Sequence, residues 1–409
     1  MMTLAEAQAR DAADPLSQLR ARFALPEDRI YLDGNSLGPP LRSAAMALAG
    51  VVESQWGADL IAGWNRHDWI GLPERLGARI APLIGAAADE VIVCDSVSVN
   101  LFKLVSAVLQ SRPGRRTVLT EPGNFPTDLY IAQGAAGLAG AQVRTLPAEA
   151  IAAAIDRDTA LVVLTHVHYK SGNKLDMAAI TRAAHAQGAL ILWDLSHSTG
   201  AVGVDLTGCA ADLAVGCGYK YLNGGPGAPA FLFVARRLHA ELASPLAGWL
   251  GHAEPFAFTD AYVPAPDIRR YLCGTPPVLA MAALDHALGE FDAIDRPALF
   301  VKGAALGDMF IVQMDARLAQ HGFILISPRD AAQRGSHVAY AHPQAWPISQ
   351  ALIARSVIGD FRAPDVLRLG FAPLYNSFAD VWHAVEALQA IMTSGEWAEP
   401  RHAIRAKVT

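Results

Sequence analysis

The chain has 409 residues, of which 33 are basic and 39 acidic, giving a formal net charge of −6 with both signs mixed along its length. Without a basic stripe or tail it offers no electrostatic footprint for nucleic acid, and no apolar run approaches the ~18 residues of a membrane span. The opening segment MMTLAEAQARDAADPLSQLR is charged and helix-like rather than signal-like. The four cysteines, Cys94, Cys209, Cys217 and Cys273, form no CxxC pair, so reduced thiols in a cytoplasmic protein are expected.

In chain order, Arg42 to Trp56 has apolar residues at helical spacing. Short apolar strands then alternate with helical stretches. The strands are expected at Val91–Cys94, Thr117–Thr120, Ala160–His166, Ala189–Trp193, Asp212–Gly216 and Pro229–Val234. The helices between them are expected at Val99–Gln110, Phe125–Gln133, Ala148–Ile155 and Asp176–Gln187. Strands that are apolar on both faces and alternate with helices indicate an α/β fold with a mostly parallel sheet covered on both sides. Beyond Pro276 the pattern changes: helices at Val278–Phe291 and Pro297–His321 precede strands at Phe323–Ile326, Val338–Ala341 and Val366–Leu369, with further helices at Pro347–Arg355 and Phe378–Met392. This reads as a smaller α+β domain. The expected division is an N-terminal segment 1–56 packing with the small domain, a large cofactor-binding domain 57–275, and a small C-terminal domain 276–409.

Two strand ends carry the chemistry. Asp194 closes the strand in ALILWDLSHSTG, and Lys220 follows the next strand in DLAVGCGYKYLNGGPG. Ligands of open α/β sheets collect at the carboxyl ends of the strands, so the acid and the amine should face one cleft. Pyridoxal 5'-phosphate (PLP) requires both: a lysine amine for an imine to the cofactor, and a carboxylate that keeps the pyridine nitrogen protonated. The glycines after Lys220 allow close backbone approach. The segment CDSVSVNLFKLV places Ser96 and Ser98 at a helix start, where free N–H groups and the dipole favour a phosphate; simple N-capping is the plainer alternative. Phe125 in NFPTD can stack on a planar ring, with Asp128 close by.

This order and spacing resemble the aspartate-aminotransferase-like, fold-type I PLP enzymes, and kynureninase in particular. The matching pieces are YLDGNSLGPP, SVNLFK, NFPTDLY, WDLSHSTGAV, GYKYLNGGPG, GWLGH, GTPPV and LRLGFAPLYNSF, spread over roughly residues 30–395. The resemblance implies PLP-dependent hydrolysis of L-kynurenine, and of 3-hydroxy-L-kynurenine, to anthranilate or 3-hydroxyanthranilate and L-alanine in tryptophan catabolism, by a homodimer with its active site at the subunit interface. It implies Lys220, Asp194 and Tyr219 as catalytic residues: Lys220 holds the cofactor imine, Asp194 pairs with the ring nitrogen, and Tyr219 contacts the phosphate and is a candidate for activating the attacking water. Val97, Ser98, Phe125, Pro126, Thr127, Asp128, Thr165 and His197 are implied around the cofactor. Trp249 and Thr275 are implied to complete the phosphate site, reaching in from the partner subunit. Arg368 is implied as the clamp on the substrate α-carboxylate.

Animal members carry Asn where this chain has Thr275, and His where Ala62 aligns; those positions are linked to the 3-hydroxylated substrate, so L-kynurenine itself is favoured here. Other readings are an aminotransferase; a desulfurase, disfavoured by cysteines in apolar settings; a non-catalytic PLP-fold protein; and a metal-dependent hydrolase using His166 and His168.

Overall fold

The computed structural model of the chain describes residues 2–405. The six apolar strands expected before Thr275, joined by one edge strand that was not expected, form a single seven-stranded sheet. Its members are β2 (Val91–Val93), β3 (Thr117–Thr120), β4 (Gln142–Thr145), β5 (Thr159–Thr165), β6 (Leu190–Asp194), β7 (Leu213–Gly216) and β8 (Phe231–Val234), after a short N-terminal strand β1 (Ile30–Tyr31). The sheet order is β2-β8-β7-β6-β5-β3-β4. Only β8 runs against the rest, pairing antiparallel with both β7 and β2. Two reversals restore direction, so β2, β7, β6, β5 and β3 all present their carboxyl ends at one edge. Strands β2, β3, β5, β6, β7 and β8 are fully buried, which explains their continuous apolar runs. The edge strand β4 has no such run, because its QVRT side chains are largely exposed; the apolar pattern alone does not reveal it.

The expected helices form with small shifts. Val97–Ser111 begins two residues before the expected Val99, because Ser96 rather than Ser98 is the N-cap, accepting from Val99 N at 3.4 Å. The Arg42–Trp56 stretch divides into an α-helix, Ala44–Gly50, and a wider-wound segment, Val51–Ala58. The C-terminal region forms an antiparallel sheet from β9 (Ile324–Leu325), β10 (His337–Ala341), β12 (Asp360–Arg362) and β13 (Val366–Gly370), in the order β12-β13-β10-β9. Strand β11 (Val357–Ile358) instead pairs parallel with β1.

Alternation in this sheet decides what faces the cleft. Val338, Tyr340, Phe361, Leu367 and Leu369 join one apolar core with residues of helices Arg296–Leu318 and Phe378–Ser394. The opposite face carries His337, Ala339, Asp360, Arg362 and Arg368, with Asp360 directly opposite Arg368. The Arg296–His321 helical stretch has the length and mean hydropathy (1.2) of a bilayer span, yet more than half of that window is buried inside the protein. The N-terminal segment crosses this opposite face as a strap. Gly370 N donates to Leu32 O at 2.7 Å, and Gly38 N donates to Tyr219 O at 2.8 Å. At Gly38 a Cβ would stand 2.4 Å from Lys220 O, so the strap can lie on the lysine loop only as glycine.

Candidate active site

The common edge of β2, β7, β6, β5 and β3 opens into a cavity of about 200 Å³, lined by Ser96, Val97, Ser98, Phe125, Thr127, Thr165, Tyr169, Asp194, His197, Tyr219 and Lys220 among others. Each side chain arrives from a different strand end. Lys220 comes four residues after β7, Asp194 ends β6, Thr165 ends β5 and Phe125 follows β3. The helix Val97–Ser111 enters from β2, and its first-turn N–H groups have no partners within the helix.

Lys220 is buried, and its Nζ lies 2.8 Å from His197 Nε2. Burial lowers its pKa, which favours the neutral amine that imine chemistry needs. The same Nζ is 5.8 Å from the Phe125 ring centroid and 5.9 Å from that of Tyr219. His197 is buried with Nδ1 unpartnered, and burial, with the Lys220 charge, holds its pKa well down. Asp194 Oδ1 accepts from Ser196 N at 2.8 Å and Ser196 Oγ at 2.6 Å. Asp128, buried beside it, has Oδ1 without a partner and its pKa pushed well up by burial and the Asp194 charge. Thr165 Oγ1 donates to Asn124 Oδ1, which fixes the Phe125 turn against β5. Tyr219 lines the cavity, and burial raises its phenol. Phe125 is 40% exposed and meets Tyr169 edge-on at 5.4 Å.

Other expected residues lie elsewhere. Pro126 opens the Pro126–Leu138 helix and is exposed. Trp249 and Thr275 are exposed and do not line the cavity of their own chain. Arg368 is 1% exposed, and its fork is engaged: Nε donates to Asp360 Oδ1 at 2.9 Å, Nη2 to Asp360 Oδ2 and to Ser36 Oγ at 3.0 Å, and Nη1 to Tyr169 O. His166 and His168 are also committed. His166 Nδ1 meets Ser198 Oγ at 2.9 Å, and His168 Nε2 meets Gly123 O at 2.9 Å. Among the described residues no three metal-binding side chains cluster.

Several residues at the site were not singled out from the sequence, although Ser196 and Lys103 lie within the quoted WDLSHSTGAV and SVNLFK segments. Tyr169 and Ser196 line the cavity. His337 is buried with both ring nitrogens unpartnered, 5.4 Å from His197 between ring centroids. Lys103, fully buried, pairs with Asp95 at the helix start and donates to Tyr271 O at 2.5 Å. Asp95 holds a φ of 49°. Its place after a strand and ahead of the helix, with a lysine two turns on, was the available clue.

The comparisons with known proteins agree with this geometry. Kynureninase from Burkholderia mallei is 48% identical to the chain over an alignment of 417 positions that covers all of both proteins. Kynureninase from Pseudomonas fluorescens is likewise 48% identical over the full length of both. The chain belongs to the kynureninase family. The family model for the kynureninase C-terminal domain matches residues 299–388, the stretch that contains the Arg368 strand. Among solved structures, a cysteine desulfurase from Thermococcus onnurineus NA1 superposes with a TM-score of 0.78 at 18% identity, covering 92% of this chain and 98% of that one. A C-DES variant with glycine covalently linked to its PLP cofactor superposes with a TM-score of 0.78 at 17% identity, covering 90% and 98%. At these identities the structural matches establish the fold, that of the fold-type I PLP enzymes, which this kynureninase-family chain shares.

The cavity fits PLP on its own evidence. It has a buried amine at its centre, a buried carboxylate on one side, and a helix start with free N–H groups on the other. Asp128 Oδ1 and His197 Nδ1 are buried without partners, a costly state that a polar ligand relieves. Gly227, with φ of +72°, lines the cavity, and a Cβ there would meet no protein atom.

Proposed function

We propose that this chain is a PLP-dependent hydrolase that cleaves L-kynurenine to anthranilate and L-alanine. The observation that carries the reading is full-length 48% identity to kynureninases joined to Lys220, Asp194 and the Val97 helix start in one cavity. When bound, PLP supplies a ring that accepts electron density from the substrate Cα. Lys220 would hold the cofactor through Nζ, with His197 Nε2 orienting that amine. Val97 and Ser98, at the helix start, would hold the phosphate. Asp194 would keep a proton on the ring nitrogen, its own position fixed by Ser196. Thr165 and Asp128 would flank the ring, and Phe125 would stack on it. Lys220 Nζ, when not bonded to the cofactor, would be the base for the substrate Cα proton. Burial keeps the Tyr219 phenol protonated, so it would act as a hydrogen-bond donor to the substrate γ-carbonyl during water addition rather than as a base. Arg368 and its strand would present positive charge to the substrate carboxylate.

The exposure of Trp249 and Thr275 supports a homodimer in which this arm completes the partner's site. An apolar groove lined by Trp56, Ile61, Trp64, Pro276 and Pro277 adjoins Ala62 and Thr275, and supports a seat there for the aromatic part of the substrate. With no polar side chain at Ala62, unsubstituted kynurenine is favoured over its 3-hydroxy form. Purified enzyme supplied with PLP and L-kynurenine should release anthranilate and alanine in equal amounts. Borohydride should fix the cofactor on Lys220. Absence of anthranilate, or label on Lys170 or Lys174, overturns the reading.

A further inference from the structure

We propose that His337 is a positioning residue for the reaction: from the C-terminal sheet it donates a ring N–H to His197 Nδ1, which sets His197 in the tautomer whose Nε2–H meets Lys220 Nζ. This rests on the reading above only in taking Lys220 as the base.

Two buried imidazoles meet where the large sheet and the C-terminal sheet pack together. His337 opens β10 and is 0% exposed; His197 lies in the turn after β6 and is 3% exposed. Three of their four ring nitrogens have no partner: Nδ1 of His197 and both nitrogens of His337. The fourth, His197 Nε2, is the one 2.8 Å from Lys220 Nζ. Buried polar groups left open are destabilising, and here they lie side by side. The ring centroids are 5.4 Å apart with planes at 61°, so two nitrogens turned toward each other come within about 3.2 Å, hydrogen-bond reach. Rotation of either ring about its bond to Cβ, a soft torsion, brings them into line.

Both rings stand on fixed backbone. Asp194 holds the residue before His197, accepting from Ser196 N and Oγ, and His166 Nδ1 holds the residue after it through Ser198 Oγ. On the other side, Tyr221, next to Lys220, donates its hydroxyl to Ser336 O at 3.3 Å. Gly335 N donates to Gly172 O at 2.8 Å. A Cβ at Gly172 would stand 3.2 Å from His337 Nε2, so that ring also has a wall behind it. The lysine loop and the start of β10 therefore share one anchor.

The direction of the bond follows from the charge states. Burial holds both histidines well below their ordinary range, with the positive charge of Lys220 adding at His197 and that of Arg368 at His337. Each is then a neutral ring with one donor and one acceptor. Burial also lowers Lys220 toward the neutral amine, whose lone pair accepts. An N–H on His197 Nε2 suits that amine and opposes the ammonium, which carries donors only. With Nε2 as the donor, Nδ1 is the acceptor, and His337 holds the open donor beside it. The other charged or titratable groups acting on the three are Asp194, Cys217, Asp360, Arg362, Arg368 and His168, and none of them bonds an open ring nitrogen. His337 thereby favours the form of Lys220 that can take a proton from the substrate Cα.

The test uses full-length protein carrying isotope-labelled histidine, with and without PLP, as wild type, His337→Phe, His337→Asn and His337→Gln. Ring-nitrogen NMR reads which nitrogen of His197 carries the proton, and the signal lost in His197→Asn assigns it. Wild type should carry the proton on Nε2. His337→Phe keeps a ring but no donor; it should show a mixture of both tautomers and lower kcat for L-kynurenine about tenfold, the worth of one hydrogen bond, with KM little changed. Asn and Gln place an amide N–H near the two ring-nitrogen positions, and one of them should restore the tautomer and most of kcat, which a space-filling role would not allow. A proton on Nδ1 in wild type, or recovery in neither amide variant, would overturn the proposal. So would an unchanged tautomer in His337→Phe, or a rise in KM at constant kcat, which would place His337 on the substrate instead. Should His337→Phe fail to fold, wild type and the two amide variants decide by the same signal. If wild type showed the Nε2–H tautomer yet released no anthranilate, the substrate reading would fail and this assignment would stand.

Discussion

Replacing Asp360 by Asn tests whether the arginine face is a built structure. Asp360 is fully buried and accepts from Arg368 Nε and Nη2, Arg362 Nη2 and Ser36 Oγ. Asparagine keeps the shape but removes the charge, and its amide turns donors toward donors. Arg368, also buried, would be left without its anion; breaking a buried pair in this way costs about 3–5 kcal/mol. The Arg362 contact, on a side chain about one-third exposed, contributes no more than about 1 kcal/mol. For 409 residues the unfolding entropy at the melting temperature is about 0.9 kcal/mol/K, so Asp360→Asn should lower the melting temperature by about 3–6 °C, and Arg362→Gln by about 1 °C. Differential scanning calorimetry of the two variants beside wild type reads both numbers. An Asp360→Asn transition within 1 °C of wild type would refute the reasoning, showing that the Arg368 charge is compensated elsewhere.

Two further outcomes follow from the site and its surroundings. Asp194→Asn should fold normally and bind PLP, yet lose about a hundredfold or more in kcat, because an amide cannot hold the ring nitrogen protonated against the developing charge; steady-state anthranilate fluorescence checks this, and near wild-type turnover would remove Asp194 from the role. Glu121, buried with Oε1 unpartnered, is pushed up from 4.5 to about 7 by burial, with Glu149 adding. The folded protein therefore keeps a proton that the unfolded chain releases, and stability from Glu121 falls as pH rises from about 4.5 to about 7 and is level beyond. At about 1.4 kcal/mol per pH unit, Glu121→Gln should gain about 3 kcal/mol, or about 4 °C, at pH 8 and clearly less at pH 5. An equal gain at both pH values in melting curves would contradict the burial argument.

Much of the architecture is written into local sequence. Strands β2, β5, β6 and β8 read as strands because a sheet covered on both faces needs apolar residues at every position. Lys220 and Asp194 were legible because each follows such a strand, and strand ends in this fold share one edge. The edge strand β4 was not legible, since half-solvated positions need no apolar run. Nor was the reversal of β8, because pairing direction leaves no mark in the periodicity of a fully buried strand. The arginine face shows the other limit. The motifs YLDGNSLGPP and LRLGFAPLYNSF lie more than 300 residues apart, and nothing in either states that Ser36 would meet Arg368 or that Asp360 would lie opposite it. Those contacts depend on the register of β12 on β13 and on the strap running parallel to β11. Spacing along the chain determines which side chains share a face; which of them meet across the cleft, and which donor is left open, is decided only when the two units and the strap pack together and exclude the water that would otherwise satisfy them all.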